Sequence, residues 1–153
     1  MEEAALCILR VFDDGGLVRI PAADLLVAAG SGAAAEAALA ELTASGALRE
    51  IAGRYERTEF GRLEAAGPLD LTLLSRPRCH LCEEALRQIE PLAAGFGARL
   101  RIVDVDCDQT LRERFGNDIP VLFLGSEELA DHRIDAASPR AALAQASKER
   151  QRA

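Results

Sequence analysis

The run LDLTLLSRPRCHLCEEALRQIE, residues 69–90, constrains the fold more than any other part of the chain. Its first seven residues, Leu69–Ser75, are a mostly apolar strand. Across Leu81–Ala94 the apolar side chains Leu81, Ala85, Ile89 and Leu92 recur on one helical face, and Pro91 is expected to kink the last turn. Strand passes to helix at Pro77-Arg78-Cys79, which puts Cys79 at the helix N-terminus and Cys82 nearly one turn further on.

Beyond this unit the alternation continues. Leu100–Asp106 reads as a second strand, Gln109–Phe115 as a short helix and Val121–Leu124 as a third strand. Residues Glu128–Ile134 are expected to pair beside that strand, and Ser138 to cap a final helix. The order βαβαββα in so short a length is the thioredoxin-like layout, in a mixed α/β (α+β) chain.

The first half has a different grammar. Ala5, Ile8, Leu9 and Phe12 repeat at i, i+3, i+4 and i+7, predicting an amphipathic helix over Glu3–Asp13. Asp14-Gly15-Gly16 should stop it, with a short strand at Leu17–Ile20. Pro21 should open a second helix ending near Gly30. Ser31 should cap a third, with Ala35, Ala38, Leu39 and Leu42 inward and Gly46 closing it. Two strands, Leu48–Ala52 and Tyr55–Phe60, flank a turn at Gly53-Arg54. Gly67-Pro68 marks the change of grammar, so the expected division is a domain over 1–66, a second over 69–147 and a charged tail at 148–153.

Composition narrows the class. The 153 residues are 49% hydrophobic, enough for packed cores, and carry a net charge of −7, which argues against nucleic acid or an anionic membrane as the main partner. No apolar run reaches the ~18 residues of a membrane span, and the N-terminus MEEAALC is acidic where a signal peptide is basic. The expected location is the cytoplasm, where thiols are mostly kept reduced and a CxxC is a catalytic or metal-binding pair in preference to a structural staple.

A zinc site would want four ligands. Cys7, His80, Cys107 and His132 form no second short-spaced pair, so the redox reading of Cys79 and Cys82 is the stronger and no metal is expected. A thiolate at a helix N-terminus is favoured by unpaired backbone N–H groups and the helix dipole. Arg76, Arg78 and His80 would add to that. Lowering a thiol pKa from ~8.5 to ~6.5 raises its thiolate fraction at pH 7 about 25-fold, while intrinsic nucleophilicity falls about 8-fold. The net gain in attack is about threefold, so the larger effect is a better leaving group and a more oxidising disulfide. Cys79 is the expected attacking thiol and Cys82 the resolving one, with His80 as a modulator. Cys107 ends the second strand and is either an accessory thiol or a bystander; Cys7 is expected to be inert. Asp104, Asp106 and Asp108 read as strand-end solvation and helix capping.

Residues 69 to about 145 resemble the glutaredoxin-like branch of the thioredoxin-fold family, through LTLLSRPRCHLC, VDVD and NDIPVLFLG. The resemblance implies a thiol–disulfide oxidoreductase acting on a disulfide-containing protein or small thiol. It implies a cis proline facing the CxxC, carried onto Pro120 after Ile119, with adjacent backbone pairing to the substrate. Arg76 or Arg78 would take a substrate carboxylate. The Gly-Gly of glutaredoxins is missing after Gly125, which argues against glutathione as a bound co-substrate, and no other cofactor is implied.

The run LTASGALREIAGRYERTEFGR, with Tyr55, Thr58 and Gly61, resembles the end of the third helix and the wing of winged helix-turn-helix regulators, over about residues 3–65. Residues 1–67 hold 6 basic and 11 acidic residues, and the third helix has nothing to read a base edge, so a protein partner or self-association is expected in preference to DNA. The rival to an enzyme is therefore a redox-responsive winged-helix adaptor or transcription regulator.

Overall fold

A computed structural model describes residues 1–14 and 19–152 and divides the chain into two compact units, Met1–Ala65 and Ala66–Ala153. Among the described residues, no single helix is long and apolar enough to cross a membrane.

In the first unit α1 spans Glu3–Arg10, and its Ala5, Ile8 and Leu9 are buried together with Phe12. The helical pattern expected to reach Asp13 tightens into a 3-10 turn over Val11–Asp14. The Gly15-Gly16 stop and the first half of the strand expected over Leu17–Ile20 lie outside the described residues. What is described there is β1, Ile20–Pro21. Pro21 extends this strand and caps α2 (Ala22–Ala28) from outside, since its backbone is extended at ψ 149°.

Helix α3 (Ala33–Ala44) buries Ala35, Ala38, Leu39 and Leu42, the face its spacing predicted. Ser31 does not cap it. Ser31 sits at φ 58°, its hydroxyl turned back to the Leu26 carbonyl, and Gly32 takes the N-cap position at φ 88°.

Strands β2 (Leu48–Ile51) and β3 (Arg54–Arg57) form the expected hairpin, with the turn one residue earlier than predicted, at Ala52-Gly53. Both turn residues have positive φ, 52° and 76°, which matches the right-handed twist of the flanking strands. The three strands pair antiparallel in the order β1-β3-β2. Strand β3 ends at Arg57, short of the predicted Phe60, because Thr58 starts a helix instead. Its hydroxyl accepts the Gly61 N–H and caps α4 (Glu59–Glu64), whose Phe60 and Leu63 are buried.

In the second unit the order is β4 (Asp70–Ser75), α5 (His80–Phe96), β5 (Arg99–Asp104), α6 (Gln109–Phe115), β6 (Val121–Leu124), β7 (Glu127–Asp131) and α7 (Ala137–Arg152). The sheet order is β5-β4-β6-β7, with β4 parallel to β5, antiparallel to β6, and β6 antiparallel to β7. Parallel neighbours need a crossover, which α5 supplies. This is the thioredoxin-like layout within a mixed α+β chain. Leu71 and Leu73 of β4, Leu122 of β6, Ala85, Ile89 and Leu92 of α5 and Leu143 of α7 make one core.

Several local expectations change. The second strand ends at Asp104, where a 3-10 turn begins, short of Asp106, and the last strand ends at Asp131, short of Ile134. Leu81 lies off the buried face of α5 and is 38% exposed; Cys82 takes its place inward, 5% exposed. Ser138 lies in the first turn of α7 without capping it, since the Asp135 carboxylate accepts the Ala137 and Ser138 N–H groups. Lys148–Arg152, expected as a charged tail, are the end of α7.

Candidate functional site

Strand β4 is central and apolar, so its end is fixed by neighbours on both sides. Parallel register sets Ser75 opposite Asp104, and antiparallel register sets Leu74 opposite Val121. The residues following Ser75 and Asp104, and those preceding Val121, therefore share one end of the sheet. That end holds Arg76, Cys79, Asp106, Cys107, Ile119 and Pro120.

Cys79 is the N-cap of α5. Its backbone is extended, φ −97° and ψ 106°, and its Sγ accepts the Cys82 N–H at 3.2 Å. A sulfur thus occupies the place where a Ser or Asp oxygen would satisfy a first-turn donor. Cys79 and Cys82 are joined as a disulfide with Cα atoms 5.2 Å apart. Cys79 is partly exposed and Cys82 is buried. Arg78, immediately before, is exposed and held at φ 61°, a left-handed conformation uncommon outside glycine. The exposed His80 turns along the helix to Glu84, with Nε2 3.3 Å from the carboxylate.

Arg76 is already engaged by a carboxylate of its own chain. Its Nε donates to Asp106 Oδ2 at 2.7 Å and its Nη2 to Asp106 Oδ1 at 3.0 Å, a two-point fork. The guanidinium hydrogen bond holds the Asp106 carboxyl below its ordinary range, and the same bond raises Arg76. Sequence reasoning gave Asp106, with Asp104 and Asp108, only strand-end solvation and helix capping. The signal for its role was positional, because Arg76 and Asp106 lie one and two residues beyond the paired Ser75 and Asp104. The neighbouring acids do cap, as expected: Asp104 accepts the Asp106 N–H at 2.9 Å and Asp108 the Leu111 N–H at 3.0 Å.

The Ile119–Pro120 peptide bond is cis, with Pro120 buried just before β6. Across that strand, the His132 N–H donates to the Asp118 carbonyl at 3.2 Å and ties the loop before Pro120 to the end of β7. Cys107 ends a 3-10 turn after β5 and is exposed, while Cys7 is half-buried in α1 of the other unit. Among the described residues, no group of three or more His, Cys, Asp or Glu side chains is placed to hold a metal ion.

None of the curated proteins compared with the chain matches it. Among solved structures, the structural-genomics target protein XcR50 from X. campestris is 32% identical, with 49% of this chain and 96% of that one covered and a TM-score of 0.38. A malarial protein is 19% identical, with 50% and 93% covered and a TM-score of 0.39. Residues 70–144 match the family described as glutaredoxin-like domain (DUF836), a span that runs from the first residue of β4 into α7 and includes both site cysteines and Pro120. The second unit therefore carries a glutaredoxin-like domain.

Proposed function

We propose that the second unit is a thiol–disulfide oxidoreductase that cycles between the Cys79/Cys82 dithiol and disulfide. The observation that carries this reading is the pairing of a partly exposed sulfur at a helix N-cap with a buried sulfur three residues on. The Cys79 thiolate attacks one sulfur of a substrate disulfide, forming a mixed disulfide and releasing the other sulfur as a thiolate that takes a proton. The Cys82 thiolate then attacks Cys79 Sγ, the second substrate thiol leaves, and the Cys79–Cys82 disulfide is formed. The substrate has gained two electrons and two protons, and an external dithiol or two monothiols restore the enzyme. The Cys82 N–H bond to Cys79 Sγ and the dipole of α5 stabilise the Cys79 thiolate, which attacks in the first step and is set free again when the disulfide is reduced. Backbone beside Ile119 and Pro120 receives the substrate chain.

The test is a redox titration in glutathione or dithiothreitol buffers, with alkylated thiols counted by mass. Cys79 and Cys82 are expected to disappear together as a two-electron couple between about −300 and −120 mV. Cys79→Ser should abolish exchange with a small disulfide. If the pair stays alkylatable at every potential, or the Cys79→Ser protein still turns over, the reading is wrong.

A redox-responsive adaptor is the second reading, and the first unit favours it. Its helices and three-stranded hairpin sheet suit a winged-helix module, yet most of its arginines are paired with its own carboxylates. Arg19 and Arg49 pair with Glu56, Arg57 with Asp13 and Arg62 with Glu59, which leaves little cation for phosphate. Turnover separates the readings, since an enzyme passes many equivalents of disulfide and a sensor passes one.

A further inference from the structure

We propose that Asp106 sets the charge selectivity of the site: by filling the guanidinium fork of Arg76, it turns a ready-made carboxylate receptor beside Cys79 into a neutral wall, so the site takes disulfides that are uncharged or cationic at this flank and disfavours those carrying a carboxylate there. This deepens the reading of Cys79 as the attacking thiol and rests on it.

An arginine three residues before a nucleophilic sulfur would, unpaired, raise the local concentration of anions and offer them two parallel N–H donors. Here Nε and Nη2 of Arg76 are both engaged by one carboxylate, at 2.7 and 3.0 Å. The pairing is built into the fold. The parallel register of β4 and β5 brings the two chain segments level, and the Asp104 carboxylate fixes the turn that carries Asp106 by accepting the Asp106 N–H. Asp104 and Arg112 add their fields at longer range, of opposite sign. Arg78, the exposed residue before Cys79, forms no ion pair among the described residues. Asp106 acts through Arg76 and is a positioning residue, not a catalytic one.

The experiment uses the full chain in its reduced form and two alkylating agents that differ in charge, anionic iodoacetate and neutral iodoacetamide. The rate of each at Cys79 is read by peptide mass at ~10 mM ionic strength, where the Debye length is ~30 Å. The neutral reagent reports thiolate fraction and access, so the ratio of the two rates isolates local charge. Asp106→Asn should raise the iodoacetate-to-iodoacetamide ratio about two- to fivefold, the size an exposed ion pair supports. Arg76→Gln should lower it by a similar factor, the double substitution should return it near the parent value, and Asp106→Glu should hold it. The shifts should fade at ~1 M salt, where the Debye length is ~3 Å. An unchanged ratio in Asp106→Asn, or shifts of the same sign in the two single variants, overturns the inference. Alkylation needs no turnover, so failure of the charge inference and failure of the oxidoreductase reading are seen in separate measurements.

Discussion

At the residue scale, small atoms decide where larger elements can sit. The motif Thr58-x-x-Gly61 fixes α4 against Gly46-Ala47, the segment leading into β2. The Thr58 hydroxyl donates toward the Gly46 and Ala47 carbonyls and accepts the Gly61 N–H. A Cβ added at Gly61 would lie 2.1 Å from the Ala47 carbonyl oxygen and 2.9 Å from Arg57 Cγ. The backbone oxygen cannot retreat without breaking the Thr58 N–H bond it accepts. Gly61→Ala is therefore expected to destabilise the first unit by about 1–3 kcal/mol, as overpacking does, and a urea titration followed by circular dichroism checks it. Thr58 and Gly61 were legible in the sequence as a motif, but their purpose was not, because a close approach between α4 and the Ala47 backbone leaves no periodicity. The site divides in the same way. Cys79 at a helix start could be read from Pro77-Arg78-Cys79, whereas the Arg76–Asp106 fork depends on a strand register that composition does not encode.

At the element scale, the three-stranded sheet of the first unit is held by a buried carboxylate. Glu56 of β3 is 6% exposed and accepts from Arg49 of β2 and from Arg19 beside β1, so one side chain ties all three strands. The Arg49 hydrogen bond holds the Glu56 carboxyl below its ordinary range, Arg19 adds to this, and burial opposes them. A carboxyl depressed in the folded state contributes stability that is present above its unfolded pKa, about 4.3, and is lost as pH falls through the folded value. Arg49→Gln should cost about 1 kcal/mol at pH 7, the low end for a charged hydrogen bond because Arg49 itself is largely exposed and Arg19 remains. The difference from the parent protein should close as pH drops below about 4.3, as followed by thermal unfolding at several pH values. Elements with an apolar face were legible from sequence: α1, α3 and α5 lie where spacing placed them, α1 ending three residues early, and α6 and β6 have their expected bounds. Those decided by one capping atom were not, which is why Thr58 ends a strand early and Asp135 displaces Ser138.

At the scale of the whole molecule, each unit has its own buried core, and the glutaredoxin-like match lies within the second. Residues 66–153 expressed alone are expected to fold and to titrate with the same Cys79/Cys82 midpoint as the full chain, within about 10 mV, roughly the shift of a 0.5 kcal/mol difference. A larger displacement would mean that the first unit acts on the redox couple, as the adaptor reading requires. The position of β4 at the centre of its sheet also has a temporal consequence. The strand is made early, but one of its two partners, β6, is made much later, along with the buried Pro120. At ~5–20 residues per second of synthesis, Cys79 and Cys82 leave the ribosome some 2–10 s before that partner exists. For that interval the nascent chain presents both thiols without β6 and Pro120 on their side of the sheet, whereas the first unit already has all its strands.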